Sequence, residues 1–139
     1  EEEVFPVCSP KLLEEYGPFQ QLADISNAPL LKLHAESDAT WMVWERLFEQ
    51  HNQLWSPSQS VMEFDTYTLV LQAAIAGQGV ALGWGSLVDD MLDKRLLASF
   101  PMFRTRSSNG YFTVVPNSRM EDAVVTIFKD WIHQQHQQR

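Results

Sequence analysis

The stretch from Phe64 to Trp84, FDTYTLVLQAAIAGQGVALGW, restricts the possible folds more than any other part of the chain. Leu69, Ala73 and Ala76, with Val70 and Ala74 beside them, repeat at the spacing of one helix face. Asp65, Thr66 and Thr68 stand where side-chain oxygens can accept from the N–H groups of a first helical turn. Gly77 follows the last periodic residue, where a glycine can take the left-handed conformation that ends a helix. Gly79 then lets the chain restart, closely packed, as the apolar strand Val80 to Leu82. Strand end, helix and strand in this order make a parallel-sheet unit whose helix N-terminus opens to solvent. Such an end gathers N–H donors and partial positive charge, which suits a polar or anionic group. The hydroxyls of Thr66 and Thr68 fit either that task or simple capping.

The remaining segments extend the alternation. Val4 to Cys8 is short, apolar and β-prone, and Pro6 within it argues for an edge strand or a crossing between lobes. Ser9 as N-cap and Pro10 at the first position open a helix over Lys11 to Tyr16, which Gly17 stops. A short turn from Phe19 to Ile25 leads to a strand at Leu30 to His34. Asp38 is the expected cap of a helix reaching His51, with Trp41, Trp44 and Phe48 on one buried face; such a stripe belongs to a core rather than to a cofactor box. Val61 to Phe64 is the third strand. After the central unit, Ser86 and Asp89 form a capping box for a helix carrying Leu87, Val88, Met91 and Leu92, with Asp89, Asp90 and Asp93 as its solvated face. Leu96 to Phe100 reads as a strand, Pro101 to Asn109 as a loop, and Tyr111 to Val115 as one of the clearest β segments. A second capping box, Ser118 with Glu121, precedes a helix with Val124, Ile127, Phe128, Trp131 and Ile132 on one face.

Alternating strands and helices predict an α/β fold with a mostly parallel sheet flanked by helices. Ligands in that architecture bind beyond the carboxyl ends of the strands, which nominates Ser9 to Pro10, His34 to Ser37, Thr66 to Thr68 and Gly83 to Ser86.

Composition removes several functions. A net charge of −8 with scattered Lys and Arg lacks the clustered positive surface that phosphate neutralisation demands, so the chain is not expected to bind nucleic acid by itself. No apolar run approaches a membrane span. The single cysteine, Cys8, excludes an internal disulfide and reads as a small buried hydrophobe; the cytoplasm is the default compartment. Because the chain starts on Glu, with no signal-like segment after it, a fragment or processed form is expected. No H-E-x-x-H, P-loop, G-x-S-x-G or paired-Cys motif occurs, and Gly77 and Gly79 follow a helix rather than a strand, the reverse of a dinucleotide fingerprint. His133 and His136 lie three apart with no acid or Cys at ligand spacing, so no metal, cofactor or catalytic residue is nominated.

Taken together, LVLQAAIAGQGVALGW, the upstream EEVFPVCSPKLL and the PLLKLH…W..W between them resemble the effector-binding domain of LysR-type transcriptional regulators, over nearly the whole chain. The resemblance implies a two-lobed fold like type 2 periplasmic binding proteins, with the second lobe nearly complete in residues 1–110 and the first mostly missing. The chain would cross between lobes at Val4 to Cys8 and Tyr111 to Val115, and residues 111–139 would return to the first lobe. It implies a small-molecule effector between the lobes, at positions matching Thr66, Tyr67, Thr68 and Trp84 and, more loosely, Ser9 and His34. It also implies a homo-oligomer, with DNA bound only through a winged helix-turn-helix absent from this chain. The central stretch further resembles the branch that controls choline sulfate use, and Tyr67 and Trp84 facing one cleft would form part of an aromatic box for a quaternary ammonium, so that choline or a choline ester is the implied effector. The plainer expectation is that Trp84 packs in the fold and an amino acid or other small carboxylate sits at the helix N-terminus. A transport solute-binding protein on the same fold is the main rival, and an enzyme a further one. With the first lobe absent, the final helix is expected to pack on a neighbouring copy or to be poorly ordered.

Overall fold

The computed structural model describes residues 2–36, 39–107, 109–110 and 112–137. They belong to two compact units, Glu1–Asn109 and Gly110–Arg139. The first unit contains, in order, β1 (Glu2–Cys8), α1 (Pro10–Tyr16), α2 (Leu22–Ile25), β2 (Leu30–Leu33), α3 (Trp44–Gln50), β3 (Val61–Phe64), α4 (Tyr67–Ile75), β4 (Ala81–Trp84), α5 (Gly85–Asp93), β5 (Ala98–Ser99) and β6 (Thr105–Ser107).

The sheet grows outward from β1. On one side it pairs antiparallel with β4, from Val4↔Trp84 to Val7↔Ala81. On the other it pairs antiparallel with β5 and β6. Strands β2 and β3 run parallel, Leu30↔Val61 to Leu33↔Phe64, and a parallel bridge at Leu30↔Val80 joins them to the segment entering β4. The order is therefore β3, β2, β4, β1, then β5 and β6. The described strands share one direction except β1, so the β2–β3 ladder and the Leu30↔Val80 bridge are parallel while the three ladders of the central β1 are antiparallel.

Contrary to the edge position that Pro6 suggests, β1 is central. The reason is an interruption in its outer partner: β6 covers Glu2 to Val4 and β5 covers Val7 to Cys8. Pro6 falls in the gap, where Phe100 N donates to Pro6 O and no N–H is demanded of the proline. The alternation of β1 feeds both faces of the sheet. Val4 and Cys8 pack with Leu12, Leu22, Ile25, Trp44 and Phe48 beneath α1, α2 and α3. Phe5 and Val7 pack with Val70, Leu71, Ala73, Ala74 and Val88 of α4 and α5. Cys8 is buried, and desolvation pushes its thiol up to about 12, so it is a packing residue.

Other boundaries differ from expectation. The predicted helix from Asp38 to His51 begins only at Trp44; Asp38 lies outside the described residues. The Arg46 guanidinium donates to the carbonyls of Ala39 and Trp41, giving those groups partners without a helical turn, so Trp41 shares no helix face with Trp44 and Phe48. Ser86 sits inside α5, which Trp84 precedes without a side-chain cap bond, so the predicted capping box does not form. The expected loop after Pro101 contains β6, fastened to β1 by Arg104 and Arg106, both paired with Glu3.

In the second unit, residues 112–116 form no strand, although Tyr111 to Val115 is strongly β-prone; Tyr111 lies outside the described residues. β-propensity is realised only against a partner, and no strand occurs among the described residues of that unit. Its helix, α6 (Ala123–Gln137), starts on Asp122, whose carboxylate accepts from Val124 N at 3.0 Å, instead of on the Ser118–Glu121 box. Val124, Ile127, Phe128 and Trp131 are exposed along it.

Candidate functional site

Because β2, β3 and β4 run in one direction, their carboxyl ends share one end of the sheet, and His34, Thr66 and Trp84 are brought there together. Ser9 is not. Its strand, β1, is reversed, so Ser9 emerges at the opposite end beside Gly77, where a methyl group added to the glycine would lie 3.2 Å from Ser9 Oγ. Ser9 is buried and caps α1, accepting from Leu12 N at 3.1 Å. That capping role is the one expected for it, but nothing in the sequence announces the reversal of β1.

At the shared end, α4 follows β3 after two residues. Thr66 is its N-cap, in extended conformation, and makes no side-chain cap bond. Thr66 and Thr68 are exposed. The hydroxyl of Thr66 is thus not consumed in capping, and it stands beside the donor-rich, partially positive first turn. The other end of α4 is as expected: Gly77 has φ +77°.

Tyr67 and Trp84 do meet. Their ring centroids are 4.8 Å apart at 87°, edge to face. The Tyr67 hydroxyl donates to Leu82 O at 3.2 Å and accepts from Trp84 N at 3.1 Å. Trp84 is only 8% exposed and belongs to the apolar cluster beneath α1 to α3.

His34 continues β2, its N–H donating to Phe64 O at 2.8 Å. Its Nδ1 pairs with Glu63 on the adjacent strand. That hydrogen bond, the charge of Glu63, and the further charges of Asp65 and Glu36 raise the histidine pKa above its ordinary value. Beside it lies an open concavity of about 420 Å³ bounded by His34, Glu36, Ala39, Thr40 and Trp41. The Trp41 indole N–H is buried without a hydrogen-bond partner among the described residues. Sequence reading did not place Glu63 or Trp41 here. The parallel register of β2 and β3 supplies the first, and the loop that displaces Trp41 from α3 supplies the second. A Glu63→Gln chain is expected to titrate His34 at a lower pH than the unaltered chain, followed by imidazole NMR signals; an unchanged midpoint would remove Glu63 as the cause. The sign follows from the raised value: the paired, protonated form contributes below the unfolded histidine pKa and is lost as pH rises through the folded one. Among the described residues no cluster of three or more His, Cys, Asp or Glu side chains could hold a metal.

This α/β unit, with helices on both faces of its sheet and a polar rim at the strand ends, has a periplasmic-binding-protein-like fold. Comparison with known proteins narrows this: residues 1–137 match the LysR substrate binding domain, and the chain belongs to that family. It is 32% identical over 135 residues to the glycine cleavage system transcriptional activator of Escherichia coli, covering 94% of this chain and 41% of that protein. It is 28% identical over 127 residues to the transcriptional activator AmpR of Citrobacter freundii, covering 91% and 41%. The chain thus spans about two-fifths of the length of these relatives. In structure it resembles the AmpR effector binding domain from Citrobacter freundii, with a TM-score of 0.68 at 24% identity over 99% of this chain and 64% of that one. It also resembles the CrgA regulatory domain from Neisseria meningitidis, with a TM-score of 0.67 at 15% identity over 97% and 65%. These relatives are transcriptional regulators, which does not favour the transport alternative. No helix among the described residues is long and apolar enough to cross a membrane.

Proposed function

We propose that this chain is the effector-sensing part of a LysR-type transcriptional regulator, taking a small polar effector at the rim formed by His34, Thr66, Thr68 and the β4–α5 junction at Trp84. The observation that carries this is the Thr66 N-cap: its hydroxyl makes no capping bond and stands, with the first turn of α4, at the same sheet end as His34. Residues 1–110 act as the second lobe and residues 111–139 as part of the first, a division supported by the separation into two units and by the exposed apolar residues of α6. DNA is contacted by a separate winged helix-turn-helix domain, the regulator works as a homo-oligomer in the cytoplasm, and it catalyses nothing.

The effector class that fits best is a small carboxylate such as an amino acid, since donors and partial positive charge at a helix start favour an anion. Choline or a choline ester rests on the family resemblance and on Tyr67 and Trp84 forming part of an aromatic box. A quaternary ammonium needs an open aromatic face, whereas Trp84 is 8% exposed and turned against Tyr67.

Titration of the full regulator with L-amino acids, choline and choline sulfate, followed by tryptophan emission, tests both. A saturable response to a carboxylate, weakened about tenfold when Thr66 and Thr68 are both changed to Ala, is expected from the loss of two hydrogen-bonding groups. A carboxylate response indifferent to that change would remove the α4 rim from the site. A saturable choline response would reinstate the aromatic box.

A further inference from the structure

We infer that Tyr67 is a positioning residue: its hydroxyl pins a split in the sheet and thereby fixes the α4 and β4 ends of the rim relative to each other. Strand β2 and the segment entering β4 are joined at Leu30↔Val80, with Leu31 N donating to Val80 O at 2.8 Å and Val80 N to Pro29 O at 2.9 Å. A parallel ladder continued from there would pair Leu82 N with Leu31 O, Leu33 N with Leu82 O and Trp84 N with Leu33 O. Leu31 O, Leu82 O and Trp84 N are instead met by side chains. The Trp44 indole donates to Leu31 O at 2.9 Å, and the Tyr67 hydroxyl takes both Leu82 O and Trp84 N.

The two strands therefore part at their carboxyl ends, around a cavity of about 10 Å³ whose lining includes Leu31, Leu33, Trp44, Leu82 and Trp84. The topology explains the place. The chain leaves β2 for β3 on one side and returns to β4 on the other, so this is where the strand order switches, and adjoining connections diverge at such a point. Buried backbone groups left by the divergence must find partners, and two aromatic side chains provide them for Leu31 O, Leu82 O and Trp84 N.

Tyr67 is also the first residue of α4, and Trp84 directly precedes α5. One hydroxyl consequently links the helix start that carries Thr66 and Thr68 to the β4–α5 junction. Displacing either end breaks bonds at the other, so the two segments hold one geometry. This gives Tyr67 a task different from direct effector contact, and its importance for sensing rests on the rim proposed above.

Backbone amide exchange by NMR on this chain and on Tyr67→Phe tests the pin. The variant keeps the ring and removes the hydroxyl. Exchange of the Trp84 amide is expected to rise about tenfold, while those of Leu31 and Val80, held by the bridge, stay unchanged. An unchanged Trp84 rate, or an equal rise at all three amides, would overturn the proposal. Should the variant fail to fold, the unaltered chain decides: Trp84 N–H exchanging at the rate of an unprotected amide overturns the pin, and marked protection supports it. Neither measurement uses an effector, so a failure here is distinct from a failure of the titration.

Discussion

Replacing Trp44 by Ala is expected to destabilise the first unit by about 3–5 kcal/mol through lost burial and the cavity left behind. Trp44 is 1% exposed and stacks on Trp55 at 5.9 Å and 11°, with Phe48 edge-on at 6.4 Å. The substitution also strips Leu31 O of its indole donor, and a buried acceptor left unmatched costs about 1–3 kcal/mol more. Against a typical domain stability of about 5–15 kcal/mol, that total brings the chain near its unfolding threshold. Urea unfolding followed by far-UV circular dichroism measures it. Trp44→Phe separates the two contributions, since it keeps most of the apolar volume and loses only the N–H. If Trp44→Ala cost under about 1 kcal/mol, or Trp44→Phe were as stable as the parent, Trp44 would not be the core and ladder substitute described above.

Trp44 also marks how far the sequence could be read. That it belongs to a core follows from its spacing to Phe48 and from the bulk of the indole. That its N–H replaces a missing strand partner follows from nothing local, because the divergence of β2 from β4 is set by connections tens of residues apart. The same holds at Pro6. A proline in a short apolar run properly argues for an edge, and only the interruption between β5 and β6, distant in sequence, lets it sit in a central strand. Helix stops were legible where one residue decides the matter, as at Gly77 with its positive φ and at Gly17 after α1. Helix starts were less so. Ser86 and Ser118 have the spacing of capping boxes, but the backbone enters α5 at Trp84 and α6 at Asp122.

The candidate site was legible in the same uneven way. Thr66, Thr68, His34 and Trp84 lie at one sheet end because each follows or ends a strand of the parallel set. Ser9 also follows a strand but lies at the other end, since strand direction is a property of pairing and not of the strand's own residues. Tyr67 and Trp84 meet, as their positions at the start of α4 and the end of β4 imply. The geometry of the pair, edge to face with the indole buried, depends on the Tyr67 hydroxyl reaching the β4 backbone, which no spacing in the sequence reveals.

Gly79→Ala is expected to cost about 2–3 kcal/mol, more than an ordinary surface substitution, because a single methyl has nowhere to go. A Cβ at this position would lie 2.8 Å from Pro29 O and 3.0 Å from two side-chain atoms of Leu31. The first neighbour is backbone, and it is also the acceptor of Val80 N, so it cannot yield without opening the bridge that joins β2 and β3 to the rest of the sheet. The damage should therefore be specific. Amide exchange at Val80 and Leu31 is expected to accelerate together with the fall in urea midpoint, while the β1–β4 ladder on the other side of β4 is disturbed less. Gly77→Ala supplies the comparison, since its cost arises from the positive φ and a softer approach to the Ser9 side chain at 3.2 Å. A Gly79→Ala chain as stable as the parent would mean that β2 and β4 tolerate a wider separation at Pro29, and would remove the bridge as the element that sets the width of the split held by Tyr67.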